Sequence, residues 1–113
     1  MKPILPTLKE NPRYILFRIK SSSKFSKKDA EKNIMFDCKK FLGELGIGKA
    51  GIKFMKFDKK YQLGIIRTNS KYLDETKTAL TLIKKLSSIN AKIDVLKVSG
   101  IINKLHIETF KKT

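Results

Sequence analysis

Tyr14-Ile15-Leu16-Phe17 and Leu63-Gly64-Ile65-Ile66 are short apolar runs set between basic residues, so the charge of this chain is threaded through the segments that must build its core. That interleaving demands a folded domain with cations over most of its surface, and it excludes a neutral core carrying a charged tail. Of 113 residues, 26 are Lys or Arg and 10 are Asp or Glu, a net charge of +16. A compact domain tolerates self-repulsion of that size mainly beside a polyanion, and the expected partner is a nucleic acid. All the cations except Arg13, Arg18 and Arg67 are lysines, a bias that thermal adaptation or genome composition can also produce.

A chain of 113 residues with 41% hydrophobic content has room for one modest core, so residues 1–113 are read as a single domain. Cys38 has no partner for an internal disulfide, and Pro3 and Pro6 interrupt the start where a secretory signal needs a continuous apolar stretch. A cytoplasmic location is expected. No apolar run approaches the ~20 residues of a membrane span, so no membrane role is expected.

Pro3, Pro6 and Pro12 keep residues 1–12 out of a regular helix or a central strand, which leaves an extended arm. From Arg13 to Lys20 the alternation sets Ile15, Phe17 and Ile19 on one face and Tyr14, Leu16 and Arg18 on the other, a strand covered on both sides. Ser26-Lys27-Lys28-Asp29 reads as a capping box. The helix it opens carries Ala30, Ile34, Cys38, Phe41, Leu42 and Leu45 on its apolar stripe, with Lys28, Lys32, Lys39 and Lys40 in other directions. It should stop near Gly43 or Gly46. Gly51 to Asp58 and Tyr61 to Thr68 predict two strands joined as a hairpin through Asp58-Lys59-Lys60. Asn69 or Ser70 caps a second helix, with Asp74 and Glu75 near its positive end and Leu73, Thr76, Leu80, Ile83 and Ser87 on one face, as far as Asn90. Lys92 to Ser99 predicts a last strand, Ile93 and Val95 facing opposite to Leu96 and Val98. Beyond Gly100 a short helix is favoured over a strand. The sum is an α+β fold, a ferredoxin-like split β-α-β-β-α-β sandwich with helices on one face of an antiparallel sheet. That fold hosts many functions and decides none.

Gly46-Ile47-Gly48-Lys49-Ala50-Gly51 matches G-x-G-x-x-G, and Gly43 to Lys49 matches G-x-x-x-x-G-K. Both motifs need a strand before the glycines and a helix after, so that phosphates meet a helix N-terminus. Here a helix enters and a strand leaves, and Ala50 stands where a hydroxyl would hold magnesium. A helix C-cap and a tight loop is the better reading, with Lys49 a candidate phosphate contact. His106 and Glu108 have no nearby cysteine with which to make a zinc site of usual spacing. Cys38 lies on an apolar stripe with no histidine to activate it. Asp58, Asp74 and Glu75 are accounted for by a turn and a helix start, so no catalytic residue, bound cofactor or metal site is expected in the protein. An RNA-recognition motif would need aromatics on the central strands. Tyr14 could serve, but Leu63-Gly64-Ile65-Ile66-Arg67 offers none, which favours phosphate-led binding by Lys and Arg and an apolar sheet face covered by protein.

Leu5-Pro6-Thr7-Leu8, Arg13-Tyr14-Ile15, Gly43-Glu44-Leu45-Gly46, Lys56-Phe57-Asp58, Gly64-Ile65-Ile66-Arg67 and Val98-Ser99-Gly100-Ile101-Ile102, in this order, resemble the archaeal ribonuclease P protein component 2 family nearly end to end. The chain departs from that pattern at Ile101, where the family usually has threonine, and in its less basic Leu105-His106-Ile107-Glu108 segment. The resemblance implies a non-catalytic subunit of the ribonucleoprotein that removes the 5′ leader from precursor tRNA, in which Mg²⁺ at the catalytic RNA does the chemistry. It implies direct pairing with ribonuclease P protein component 3, assembly with the other ribonuclease P proteins, and joint bracing of the RNA's catalytic domain. Arg13, Arg67 and Lys49, placed where regular structure ends and a phosphate can approach, are candidate RNA contacts together with Lys9, Lys20 and Lys104, and Tyr14, Leu16 and Ile66 are candidate partner contacts. Arginine's planar fork suits phosphate better than lysine's point charge, so Arg13 and Arg67 rank above a helical lysine such as Lys84. The alternatives are a ribosomal-type RNA-binding protein of the same fold and a small nucleotide-dependent enzyme using the glycine segment.

Overall fold

The computed structural model describes residues 11–105. Strand β1 (Pro12–Ser21) starts at Pro12, where the missing N–H costs nothing because it is the strand's first residue. Helix α1 (Lys27–Ala50) follows, then β2 (Lys53–Asp58) and β3 (Leu63–Asn69), helix α2 (Leu73–Leu82), and β4 (Lys85–Leu86) with β5 (Ile89–Ser99). Single 3₁₀ turns occupy Ser70–Tyr72 and Ile102–Leu105. The five strands run antiparallel in the order β2-β3-β1-β5-β4, which puts β1 at the centre, as its two apolar faces require.

Ile15, Phe17 and Ile19 of β1 pack under both helices with Ala30, Ile34 and Cys38 of α1, Ala79 and Leu80 of α2, and Ile66. The Phe17 ring crosses β3 to meet Phe54 edge-on, centroids 5.9 Å apart at 64°, and Phe54 in turn meets Phe57 at 5.9 Å. Gly64 makes that crossing possible, because a Cβ there would lie 2.5 Å from Phe17 Cζ and 3.0 Å from Phe57 Cδ1. On the opposite face Leu16, Ile65 and Leu105 form a second cluster joined by Tyr14, Leu96 and Ile102. The C-terminal 3₁₀ turn therefore covers part of the sheet that the helices leave bare.

Helix α1 does not stop at its first glycine. Gly43 breaks it with φ 80 and ψ 167, a conformation open only to glycine, and helix resumes to Ala50 before Gly51 closes it at φ 61. The resumed segment holds because Ala50 is fully buried and its carbonyl receives the Thr68 hydroxyl at 3.0 Å, while Asn69 Nδ2 donates to Lys49 O at 2.9 Å. The predicted glycine loop is thus largely helical, and Asn69 serves this helix end without making a side-chain cap for the next helix.

The second helix ends at Leu82, well short of Asn90. Ser87 and Ser88 take φ 52 and 66, the left-handed pair that a two-residue hairpin requires, and pair Leu86 with Ile89. Burial of Leu86 at 1% exposure supplies the stabilisation that a fourth helical turn would have given up. In β5, Leu16 pairs with Lys97 and Phe17 with Val95, which leaves Leu96 in a bulge. Val95 and Val98 consequently both join the helix-side core while Leu96 faces the other cluster, a correction to simple alternation. Gln62, at φ 54, clamps the hairpin to the segment before α1: its Oε1 accepts from Phe25 N and its Nε2 donates to Phe25 O, each at 3.0 Å.

Candidate nucleic-acid interface

Antiparallel pairing brings the start of β1, the ends of β3 and β5 and the start of β2 to one end of the sheet. Across that end runs the paired row Lys53, Arg67, Tyr14 and Ser99. Arg13 lies one residue further out, its Nη1 donating to Pro12 O at 2.9 Å. A Cβ at Gly100 would approach that nitrogen to 3.3 Å, so the bare glycine leaves the guanidinium its place. Arg13 is in step with Ile15 and Arg67 with Ile65, so the two arginines flank the sheet end from its two faces. Lys49, in the last turn of α1, is fixed to the same end by the Asn69 bond to its carbonyl. Lys71 in the following 3₁₀ turn is exposed there too, and Ser70 N donates to Asn11 O at 2.8 Å.

The structure therefore gathers Arg13, Arg67 and Lys49, and adds Lys53 and Lys71, which sequence reasoning missed. Lys53 becomes part of the row only through its register with Arg67, which the β2 bulge at Met55 sets. Lys20 belongs elsewhere. It lies at the far end of β1, about 23 Å from Arg13 at strand rise, with its Nζ 2.9 Å from Asp94 Oδ2. Lys9 falls outside the described residues, as does the Lys104 side chain. Lys84 is not helical: it lies between α2 and β4, where its carbonyl accepts from Ala91 N at 2.9 Å.

Two of the three candidate partner residues have no surface to offer. Ile66 is fully buried beneath the helices because it pairs with Ile15, and Ile65 is the residue that shares a face with Leu16. Leu16 is itself fully buried in the cluster with Leu105. Tyr14 is partly exposed beside that cluster. Lys56, Ile65, Leu16 and Lys97 form the next row, so exposed lysines edge the apolar centre of this face on both sides.

Most of the large exposed apolar side chains lie instead on the helical layer, at Phe36, Phe41, Leu45 and Leu82, with Leu45 73% exposed; Met55 of β2 and Ile101 are the others among the described residues. The Gly43 break explains Leu45 alone of these, since a stripe continued across the break turns Leu45 outward and brings Ala50 in.

Burial first, and the Asp37 charge second, push the Cys38 thiol up to about 12. A thiol so rarely ionised makes no nucleophile, and the folded protein is expected to resist iodoacetamide at pH 8 until denaturant opens the core, with mass spectrometry as the check. Among the described residues no group of three or more His, Cys, Asp or Glu is placed to hold a metal ion, and no helix is long and apolar enough to cross a membrane.

A split β-α-β-β-α-β sandwich with a cationic sheet end and a desolvated, unreactive cysteine defines a small α+β domain whose chemistry is charge. The chain belongs to the Rpp14/Pop5 family, whose family model matches residues 13–109. It is 38% identical over 104 residues to ribonuclease P protein component 2 of Pyrococcus furiosus, covering 92% of this chain and 87% of that one. The same-named protein of Thermococcus gammatolerans is also 38% identical over 104 residues, with the same coverage, and that of Methanobrevibacter smithii is 31% identical over 109 residues, covering 90% of this chain and 91% of the relative. A chain in the cryo-EM structure of yeast ribonuclease MRP superposes with a TM-score of 0.63 at 14% identity, covering 88% of this chain and 92% of that one, a likeness of fold.

Proposed function

We propose that this chain is a non-catalytic protein subunit of ribonuclease P, which binds the RNA of that ribonucleoprotein and acts in maturation of precursor tRNA. The observation that carries the reading is the cationic sheet end, Arg13, Arg67, Lys49 and Lys53, on a chain of the Rpp14/Pop5 family with a net charge of +16. Charge in that position neutralises phosphates that repel one another as an RNA compacts around its magnesium ions. In this reading the magnesium belongs to the RNA, and protein component 3 is a direct partner.

Reconstitution tests it. Added to ribonuclease P RNA and the other protein components, the chain is expected to raise 5′ leader cleavage at limiting magnesium, while alone it cleaves nothing. Log affinity for the RNA should fall linearly and steeply with log salt, because several phosphate contacts each release counterions. A flat salt dependence would mean that the lysines only keep the chain soluble. Recovery of ribosomal RNA in place of ribonuclease P RNA in a native pull-down would sink the assignment.

In binding to ribonuclease P RNA alone, Arg67→Ala is expected to weaken affinity by about 1–3 kcal/mol, as loss of a charge-assisted contact does. Lys84→Ala, remote from the sheet end, should cost less than about 0.5 kcal/mol. Equal losses for the two variants, measured by filter binding with circular dichroism as a fold control, would move the RNA footprint off the sheet end.

A further inference from the structure

Between α1 and α2 lies a groove of about 520 Å³ whose floor is Ala79, Leu82, Ile83 and Phe41 and whose rim carries Lys40, Lys84 and Lys85 against a single acid, Asp37. Phe41 is 47% exposed and Leu82 53% exposed, so a large apolar ring and a leucine stand open to solvent side by side. Isolated exposed hydrophobics need no explanation, but two of them lining one groove mark a contact surface.

The groove's chemistry selects its occupant. A nucleic acid would find the lysines and one ring, Phe41, but the rest of the floor is alanine, leucine and isoleucine, which offer further bases neither a stacking face nor a hydrogen bond. A second copy of this chain would bring another +16 of charge against Lys40, Lys84 and Lys85. A polypeptide helix with leucine-like side chains on one face and acids flanking them meets both features, its apolar stripe on Phe41 and Leu82 and its carboxylates on the lysines. We infer that the α1/α2 groove docks an acidic amphipathic helix of another protein of the same ribonucleoprotein, leaving the sheet end to RNA. This rests on the ribonuclease P assignment and adds to it the face by which the subunit is held to protein.

The Gly43 break lies between the two regions: the groove's α1 residues, Asp37, Lys40 and Phe41, precede it and Lys49 follows it. A straight α1 would carry the apolar stripe into the core beyond residue 43. The break leaves Leu45 exposed, and Lys39 Nζ meets Glu44 Oε1 across it at 3.1 Å. Beyond the break the resumed helix carries Lys49 to the sheet end, where Asn69 Nδ2 donates to its carbonyl.

The test uses the full chain reconstituted with the catalytic RNA and the remaining protein components, with p-benzoylphenylalanine in place of Phe41 or Leu82, and in place of Lys56 on the open sheet face. Irradiation is expected to join positions 41 and 82 to one acidic helical segment of a partner protein, identified by mass spectrometry, and position 56 not to that segment. The double variant Phe41→Asp, Leu82→Asp should reduce association with that protein by about tenfold or more while leaving binding to RNA alone within twofold, since both sites are exposed and tolerate polar side chains. Crosslinks from 41 and 82 to RNA, to a second copy of this chain or to nothing, in a complex that has assembled, would overturn the groove assignment and leave the ribonuclease P reading standing. Failure of the unmodified chain to assemble with ribonuclease P RNA and proteins would overturn that reading and this inference with it.

Discussion

Gly64→Ala is expected to lower the stability of this chain by about 1–3 kcal/mol, and Gly64→Val by more, although neither touches a charged or functional group. The cause is the 2.5 Å approach that any Cβ at position 64 would make to Phe17 Cζ. Phe17 is fully buried, with Phe54 edge-on to it, so the ring cannot retreat without pushing neighbours in a packed core. Urea titration would measure the loss, and a double-mutant cycle would assign it. With Phe17→Leu in place, Gly64→Ala should cost much less than it does alone, because the smaller side chain leaves room for the methyl group. Strict additivity would place the strain elsewhere.

Leu16→Asp should unfold the domain outright. Charge at this position has no water and no partner, since Leu16 is fully buried against Ile65 and Leu105. The cost of that desolvation, together with the lost packing, exceeds about 4 kcal/mol, a large part of what a domain of this size has. From the sequence alone the same substitution is expected to disturb only a partner. The C-terminal turn changes the outcome by laying Leu105 over the face. Leu105→Ala offers a milder check: a loss of about 2–5 kcal/mol, with faster hydrogen exchange in β1 and β3, would show that this turn belongs to the core. Exchange unchanged from wild type would show that the turn is only resting there.

The split sandwich is legible in the sequence because its main strands and the first helix start are written in short-range signals: alternation in β1, the Ser26 cap whose Oγ accepts from Asp29 N at 3.2 Å, and the β2–β3 hairpin. What escapes are features fixed by tertiary demand. Ser87-Ser88 carries none of the usual Asn-Gly signal of a tight hairpin, so α2 reads several residues too long. A bulge adds one residue to one side of a pairing, and nothing in Val95-Leu96-Lys97-Val98 announces it before the partner strand is known. Ile65 and Ile66 are chemically alike, and only register decides which lies under the helices. The candidate site fares similarly. Arg13 and Arg67 can be selected for their side chains and Lys49 for its glycine neighbours, whereas Lys53 enters the site through a cross-strand pairing that spans a bulge.

The place of β1 in the sheet also governs how the chain comes together in time. Tyr14 takes one neighbour in Arg67 and the other in Ser99, so this strand is made well before either of its partners and waits for both. At ~5–20 residues per second the wait for β5 lasts on the order of ten seconds, and until β3 is made, for more than half of that time, Ile15, Leu16 and Phe17 have neither flank covered. Folding dominated by such distant pairings is intrinsically slow, and an apolar strand left open is a target for other nascent chains. Lysines spread along most of the chain keep such chains apart, so the charge that suits a polyanion in the finished domain also acts earlier, as protection for an unfinished one.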